Sequence, residues 1–390
     1  MNSNLVLMIT IFLAIYSTAN YYVGWRGWQG LNLSTAPVRG LCYKIVVCLL
    51  AAAYPLARLG ESYLPSMWID NLTFLGALWV GTLYYLCLFT LLIDLLRFIN
   101  RRKIFLPEKL TKHPFIITTT IFCTTLLLIS YGTWNARHPL TQNYEITIPK
   151  PAGSLETLQV VMVSDIHLGN IITNKRLTKL INRINQLEPD LVLFTGDIID
   201  SNVDVLQNQN MIDNFARLKP KFGTYGILGN HEYFDKKTDL AIQYLEQGHV
   251  HMLRDQSTRV ADAFYLVGRD DLSKKRYTGI EREELSTVMT GTDHALPIIL
   301  LDHQPHNLQD GIEQGVDLQL SGHTHLGQLF PNNLLTKKIY ELDWGYLRKE
   351  GMQIIVSCGV GTWGPPIRIG NHPEIVNITI HFQKPEHQSY

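Results

Sequence analysis

Residues 158–167, LQVVMVSDIH, begin with an apolar run and end on an aspartate and a histidine. Four later stretches repeat this design: LVLFTGD at 191–197, YGILGNHE at 225–232, PIILLDH at 297–303 and LQLSGHTH at 318–325. An apolar run of four to eight residues is typical of a strand that is buried on both faces of a parallel sheet. The pattern therefore predicts an α/β domain whose strands each lead into polar side chains.

The segment between the first two runs has the spacing of an amphipathic helix. Its apolar positions are Leu177, Leu180, Ile181, Ile184 and Leu187, which share one helical face. Strands joined through a helix run parallel, and the residues just beyond their carboxyl ends meet in one crevice. We therefore expect the five polar ends to converge on a single site.

The polar ends carry the side chains that bind first-row divalent metals. The five ends supply two aspartates, one asparagine and four or five histidines as candidate metal ligands. Imidazole suits Zn, Fe or Mn, while carboxylate and amide oxygens favour Mn or Mg. Because seven candidates exceed one coordination shell, we expect two divalent ions about 3.5 to 4 Å apart with a bridging carboxylate. Taken singly, each histidine would be an ordinary core or surface residue; their order along the chain makes the difference.

Residues 155–382 resemble the calcineurin-like metallophosphoesterase family. The resemblance rests on five motifs that follow one another along the chain: D-x-H, G-D, G-N-H-E, a lone histidine and G-H-x-H. The membrane-anchored branch of that family is indicated by LDHQP at 301–305, SGHTHLGQ at 321–328, and GVGT at 359–362 before PIR at 366–368. The resemblance implies a two-sheet β-sandwich flanked by helices. Leu326 stands where glycine is expected in that branch, and we expect it to change the pocket rim and leave the metals in place.

The resemblance also implies a role for each candidate residue. One metal would be held by Asp165, His167, Asp197 and His325, and the other by Asp197, Asn230, His303 and His323. Asp197 would then be the bridge, and a hydroxide shared by the two ions would be the nucleophile. His231 would be catalytic, contacting the phosphate and protonating or stabilising the leaving oxygen.

Several further polar residues have two readings. Asp200, Glu232 and Asp302 are candidates to orient ligand imidazoles by accepting the second ring N–H, and His306 could support them or begin a solvated helix. Arg368 could meet a substrate phosphate or cap a strand. Segment 273–293 could form a lid. Segment 332–349 is apolar and basic, so it could receive a lipid phosphate or form a hairpin packed on the core.

The first third of the chain has a different composition. Residues 1–134 contain four acidic and ten basic residues, although acids and bases balance at 34 each over the whole chain. Four apolar runs, 5–23, 41–59, 72–99 and 115–134, are each near or above the length that spans a bilayer. We expect an all-α multi-pass membrane region at 1–136 with about four helices, a linker at 137–154 and the metallophosphoesterase domain at 155–390.

Basic residues beside the runs set the expected orientation. Arg26, Arg39 and Lys44 lie in the first connection, and a basic run from Arg97 to Lys112 lies in the third. By the positive-inside rule both connections face the cytoplasm, so the catalytic domain of this plasma-membrane or inner-membrane protein should be extracytoplasmic. A net charge of zero argues against nucleic acid as a partner.

The leading function is a phosphodiesterase that acts on a lipid or cell-envelope phosphate ester. The alternatives are a phosphomonoesterase of proteins or nucleotides, a UDP-diacylglucosamine-type pyrophosphatase, which needs a cytoplasmic domain, and a non-catalytic metal-binding membrane module. The seven intact ligand positions argue against the last of these.

Overall fold

The computed structural model describes residues 3–60, 66–103 and 113–383. The chain divides into two compact units, residues 1–134 with 364–367 and residues 135–363 with 368–390. The first unit is helical. Its long helices are α1 (Ser3–Gly30), α2 (Pro37–Gly60), α3 (Ser66–Asn100) and α4 (Pro114–Asn135).

Three helices within the described ranges are long and apolar enough to cross a membrane: Pro37–Gly60, Trp68–Asn100 and Pro114–Asn135. They contain the second, third and fourth predicted spans. Helix α1 covers the first, residues 5–23, but several side chains there lie outside the described residues, as do Lys109 and Lys112 of the basic run. The count of four spans and the orientation stay predictions.

Asp94, an acidic residue inside the third predicted span, has partners on α1. Its carboxylate lies 2.5 Å from a guanidinium nitrogen of Arg26 and accepts a hydrogen bond from the Tyr22 hydroxyl at 2.6 Å. Pairing of this kind lowers the cost of placing a charge among apolar helices. Asp94 therefore fixes α3 against α1.

Two six-stranded sheets build the second unit, which confirms the predicted two-sheet α/β fold. Its strands are β1 (Leu140–Ile148), β2 (Thr157–Val163), β3 (Leu191–Thr195), β4 (Thr224–Ile227), β5 (Val250–Met252), β6 (Gln256–Val260), β7 (Phe264–Gly268), β8 (Ile298–Leu301), β9 (Leu318–Ser321), β10 (Gly345–Lys349), β11 (Met352–Val356) and β12 (Glu374–Phe382). One sheet has the order β1-β12-β2-β3-β4-β5 and the other β10-β11-β9-β8-β7-β6.

The strands that lead into the candidate ligands are parallel neighbours. Strands β2, β3 and β4 pair side by side in the first sheet, and β8 and β9 pair in the second. Their carboxyl ends therefore open on the same edge of each sheet, as the sequence predicts.

The predicted linker, residues 137–154, differs from the structure because it contains β1. This strand pairs in parallel with β12, from Leu140 opposite Glu374 to Ile148 opposite Phe382. Ile146 and Ile148 are buried while the residue between them is exposed. This alternation marks a strand with one buried face, and it is weaker evidence in a sequence than the continuous runs farther along the chain.

Alternate residues of β2 serve two cores. Val160 and Met162 face the layer between the sheets, together with Leu301 of β8. Val161 and Val163 face helices packed on the outside of the first sheet. The remaining helices are α5 (Asn174–Asn185), α6 (Val205–Asn208), α7 (Ile212–Phe215), α8 (Thr238–Gln247), α9 (Lys274–Thr278), α10 (Leu285–Val288), α11 (Leu308–Glu313) and α12 (Asn333–Ile339). Helix α5 buries its predicted apolar face in the outer core, which confirms that prediction.

Candidate metal centre

The candidate ligands lie on short loops whose backbone takes an unusual conformation. Asp165, His167, Asp197, His323 and His325 all have positive φ angles, between 48° and 70°. Left-handed backbone costs energy for any residue with a Cβ, and residues held this way cluster at functional sites. The strained backbone in the loops after β2, β3 and β9 therefore indicates that these loops form a functional site.

Glycines in the G-N-H-E and G-H-x-H motifs let these loops come together. A Cβ on Gly229 would lie 2.2 Å from Oδ1 of Asp197, and a Cβ on Gly322 would lie 1.8 Å from the Ser164 hydroxyl oxygen. Any larger residue at either position would push a candidate ligand loop away. The motif glycines are thus explained by close packing between loops.

Asp165, His167 and His325 form one ligand group, with donor atoms within 4.8 Å of one another. The Nε2 atoms of His167 and His325 face each other at 3.0 Å, and Nε2 of His325 lies 3.3 Å from Oδ1 of Asp165. The backbone N–H of His323 donates to the Asp165 carboxylate at 3.0 Å, which holds it in place. Two ring nitrogens and a carboxylate oxygen converging in a buried position fit a divalent cation.

Asp197, His303 and His323 form a second group of the same size. Nδ1 of His303 donates to the carbonyl oxygen of Thr195 at 2.7 Å, which turns Nε2 toward Oδ2 of Asp197 at 3.3 Å. Nε2 of His303 and Oδ1 of Asn230 are buried and find no hydrogen-bond partner among the described residues. Buried polar atoms normally have partners, so these two fit a cation that binds between them.

Asp197 stands between the two groups. Its Oδ2 lies 3.8 Å from Nε2 of His167 and 3.3 Å from Nε2 of His303, and its Oδ1 accepts the backbone N–H of His231 at 2.9 Å. Burial alone would raise the pKa of this carboxyl, but the neighbouring His303 and His231 lower it well below its ordinary value. Asp197 is therefore an ionised carboxylate placed to serve both groups.

The histidine pKa values are shifted in opposite directions. Burial alone would lower the pKa of His303, but Asp197 raises it well above its ordinary value. Burial and His303 lower the pKa of His323 to about 4, while burial, His167 and Arg368 lower that of His325. These last two rings are neutral, which is the form that binds metals.

His231 is held by the loop after β3. Its Nδ1 donates to the Asp200 carbonyl oxygen at 2.5 Å, and its Nε2 lies 4.0 Å from Oδ2 of Asp197. Burial alone would lower the pKa of His231, but Asp197 and Asp200 raise it to about 9. The ring is therefore fixed in orientation, with Nε2 turned toward the candidate ligands.

Three aromatic residues contact the histidines of the site; Tyr340 belongs to segment 332–349, which the sequence placed beside the site, whereas Phe234 and Trp363 were not predicted. The ring centroid of Phe234 lies 4.3 Å from that of His231, Trp363 meets His231 edge-on at 6.1 Å, and Tyr340 meets His323 at 6.2 Å. Trp363 is 57% exposed. These residues come from three separate loops, and no spacing in the sequence relates them.

Three acidic residues were expected to orient ligand imidazoles; Asp200 lies near two rings, but Nδ1 of His167 has no hydrogen-bond partner among the described residues, so the role of Asp200 stays a prediction. Oδ1 of Asp200 lies 3.5 Å from Nδ1 of both His167 and His231. The prediction was wrong for Glu232, because its carboxylate accepts the backbone N–H groups of Asp197, Ile199 and Gly229. It was also wrong for Asp302, which instead binds the guanidinium of Arg282 at 2.8 Å.

Arg368 neither caps a strand nor faces a substrate. The side chain is fully buried and donates to the carbonyl oxygens of Cys358, Gly359 and Gly361, at 2.7, 3.1 and 2.8 Å. It also donates to Nδ1 of His325 at 3.1 Å. Arg368 thus fastens the loop after β11 to a candidate metal ligand.

The two segments near the site are folded. Segment 273–293 contains α9 and α10, and Leu285 and Val288 of α10 are buried, so it packs on the domain. Segment 332–349 ends in β10, which forms the expected hairpin with β11. Its helix α12 leaves Leu334, Leu335 and Ile339 more than half exposed. The ring of His306 packs at a tilt against Tyr340 of segment 332–349, with the ring centroids 4.8 Å apart.

The sequence profile of the calcineurin-like phosphoesterase family matches residues 158–327. A Danio rerio protein named transmembrane protein with metallophosphoesterase domain is 32% identical over 358 residues, which cover 87% of this chain and 80% of that protein. This chain belongs to the calcineurin-like metallophosphoesterase family. An uncharacterised metallophosphoesterase of Campylobacter jejuni is 29% identical over 381 residues, covering 96% of this chain and 98% of that protein. One of Aquifex aeolicus is 33% identical over 260 residues, covering 65% of this chain and 97% of that protein.

As a metallophosphoesterase the chain is a phosphoester hydrolase, which confirms the expectation of an enzyme with a phosphate-ester substrate. The family binds divalent metals, and the clustered histidines and aspartates are suitable ligands. The apolar helices and the transmembrane relative indicate a membrane protein.

Proposed function

We propose that this metallophosphoesterase is a binuclear phosphodiesterase whose substrate is a lipid or cell-envelope phosphate diester. The position of Asp197 carries the proposal, because its carboxylate lies within 4 Å of a ring nitrogen from each ligand group. In this assignment Asp165, His167, Asp197 and His325 hold one ion, and Asp197, Asn230, His303 and His323 hold the other. Two bound ions would supply an activated water and neutralise charge at phosphorus.

His231 is the proposed proton donor to the leaving oxygen. Its ring is fixed by the Asp200 carbonyl through Nδ1, which leaves Nε2 as the nitrogen that can meet a substrate. Phe234 and Trp363 lie against the ring, so an apolar leaving group has a surface on which to pack. General acid catalysis of this kind contributes about 10² to 10⁴ in rate.

Arg368 is not available to the second negative charge of a phosphate monoester, which favours a diester. A monoester is a dianion near neutral pH and gains from extra cationic side chains, whereas a diester carries a single negative charge. Arg368, which contacts His325, is buried and bound to three carbonyl oxygens. Its charge is therefore directed at the protein backbone.

Exposed apolar side chains support a substrate with a lipid portion. They are Phe330, Leu334, Leu335, Ile339, Trp344 and Trp363, each more than 40% exposed. Four of them belong to segment 332–349. Tyr340 of that segment lies beside His323, so the segment extends to the candidate ligands. Apolar groups exposed beside a site mark a surface for an apolar ligand or a membrane.

The test compares hydrolysis of bis(p-nitrophenyl) phosphate and p-nitrophenyl phosphate by the full chain in detergent, with Mn and with a chelator. We expect faster turnover of the diester, lost on chelation. Preference for the monoester would replace the proposal with a phosphatase. Bound metal without hydrolysis of any phosphate diester, phospholipids included, would leave a metal-binding module.

Metal analysis of variants tests the assigned roles. Asp197→Asn should lose bound metal, whereas His231→Ala should keep it and lose turnover by about 10² or more. His251→Ala is a matched control because this exposed histidine lies on β5, away from the ligand loops. The assignment fails if His231→Ala loses both ions while Asp197→Asn retains them.

A further inference from the structure

A second cavity lies in the catalytic unit, formed by the residues that follow α4 and by one face of α5. Its volume is about 480 Å³, within the range of ligand sites. None of the proposed metal ligands lines it. Its lining residues are Arg137, His138, Pro139, Leu140, Ile166, Ile172, Arg176, Leu177, Lys179, Leu180, Arg183, Val360 and Gly361.

The polar part of this lining is cationic. Arg137, Arg176, Lys179 and Arg183 contribute positive charge, and no acidic residue is among the described residues that line the cavity. Burial, together with the nearby charges of Arg137 and Arg368, lowers the pKa of Arg176 to about 10. A bound anion would reduce the repulsion between these positive charges.

Two of the arginines build the cavity. Arg176 donates to the carbonyl oxygen of Ala136 at 2.8 Å, and Arg183 donates to the carbonyl oxygen of Pro139 and to the hydroxyl of Thr141. These bonds hold the segment after α4 against α5. Arg137 and Lys179 are exposed and add positive charge at the surface of the cavity.

The rest of the lining is apolar. Its accessible part is Leu140, which is 52% exposed, together with the half-buried Pro139. The other apolar lining residues are buried in the outer core: Ile166, Ile172, Leu177, Leu180 and Val360. An inorganic anion gains nothing from such a surface, whereas a phospholipid brings a glycerol and the start of its acyl chains beside its phosphate. The combination of positive charge and apolar side chains therefore favours a lipid over a free anion.

Arg137 of the cavity lies close to a candidate membrane span along the chain. Helix α4, a candidate membrane span, ends at Asn135, and the exposed aromatic rings of Tyr131 and Trp134 near its end suit the membrane interface. Arg137 follows two residues later, so its Cα can lie at most about 7 Å from the helix end. Arg137 is therefore close enough to the end of the span to meet a lipid headgroup at the interface.

We propose that this cavity binds the phosphate headgroup of an anionic phospholipid from the surrounding bilayer, at a site separate from the metal centre. Arg137 and Lys179 attract the headgroup, Arg176 and Arg183 fix the walls, and the accessible apolar side chains receive the glycerol end of the lipid. The proposal does not depend on the identity of the substrate.

The test uses the full chain, delipidated in an uncharged detergent and treated with a chelator so that the metal centre takes no phosphate. Thermal unfolding is followed while phosphatidylglycerol, phosphatidylcholine or inorganic phosphate is added. We expect saturable stabilisation by phosphatidylglycerol alone. The double variant Arg137→Gln/Lys179→Gln removes two positive charges. It should raise the phosphatidylglycerol concentration required for half-maximal stabilisation about 25-fold, which is roughly fivefold per charge.

Lys219→Gln/Lys221→Gln, which removes two exposed lysines outside the cavity, should behave as the wild type. Native mass spectrometry of the unaltered chain with both lipids gives a second reading that needs no variant, and we expect phosphatidylglycerol adducts to persist longer. Equal stabilisation by phosphatidylcholine, equal stabilisation by inorganic phosphate, or an unchanged response in Arg137→Gln/Lys179→Gln would each overturn the proposal.

Discussion

Replacing Arg368 with methionine separates a structural role from a role in substrate binding. The side chain is fully buried and its contacts in the catalytic unit are all to protein groups. They are the carbonyl oxygens of Cys358, Gly359 and Gly361, Nδ1 of His325 and Oδ1 of Asn371. Methionine keeps much of the aliphatic volume and removes every donor.

The expected loss follows from the groups left behind. Three buried carbonyl oxygens lose a charged donor, and each unsatisfied group costs about 1 to 3 kcal/mol before relaxation. Removing one partner from a buried charged network typically costs about 3 to 5 kcal/mol in total. For a domain of this size each kcal/mol shifts Tm by roughly 2 to 4 °C, so we expect Arg368→Met to lower Tm by about 10 °C.

Thermal unfolding of the full chain in detergent measures this shift, with metal affinity by titration as a second reading. Arg368→Lys should fall between the wild type and Arg368→Met, because an ammonium cannot reach all five acceptors at once. Metal affinity should fall in both variants, since His325 loses its neighbour. A Tm within 2 °C of the wild type together with a lower kcat/KM would refute the reasoning and indicate that Arg368 binds the substrate.

Three further variants test individual contacts. Leu326→Gly should raise Tm by roughly 2 to 4 °C, because Leu326 has a φ of 46° and left-handed backbone costs about 1 kcal/mol; a lower Tm would show that the leucine side chain contributes more than its strain costs. Glu232→Gln should destabilise the chain by about 1 to 3 kcal/mol in urea unfolding, because its amide nitrogen would face a backbone N–H; unchanged stability would contradict this. Trp363→Ala should raise KM for bis(p-nitrophenyl) phosphate about fivefold and leave bound metal unchanged; a loss of metal would mean that the ring supports the ligands.

The candidate ligands could be found from the sequence because each lies immediately after a strand that is itself recognisable. Asp165 and Asp197 follow runs buried on both faces, and the parallel pairing of β2 with β3 brings them together. The candidate ligands can therefore be recognised from short local stretches of the sequence. Their order along the chain then indicates the family.

The supporting residues were harder to assign because their partners are backbone groups. Glu232 is next to His231, which suggests a role in orienting a ring, yet its carboxylate accepts three backbone N–H groups. Backbone donors are the same at every position, so no residue type in the sequence identifies them. The same holds for Arg368 and its carbonyl acceptors.

The aromatic residues around the site and the first strand depend on contacts between distant parts of the chain. Trp363 contacts His231 from 132 residues farther along the chain, and Tyr340 contacts His323 from another loop. Strand β1 has few buried residues of its own and is defined by its partner β12. Interactions over such separations leave little trace in local periodicity.

The pairing of β1 with β12 has a consequence for synthesis of the chain. Asn143 and Asn377, which bond through their side chains across this pair, are separated by 234 residues. At about 5 to 20 residues per second, β1 follows the last candidate span out of the ribosome and then waits on the order of 10 to 50 s for its partner. During that interval one of its edges can pair with another chain. A ribosome that stalls before residue 374 would leave an anchored protein with an open sheet, which is the kind of intermediate that chaperones and membrane proteases recognise.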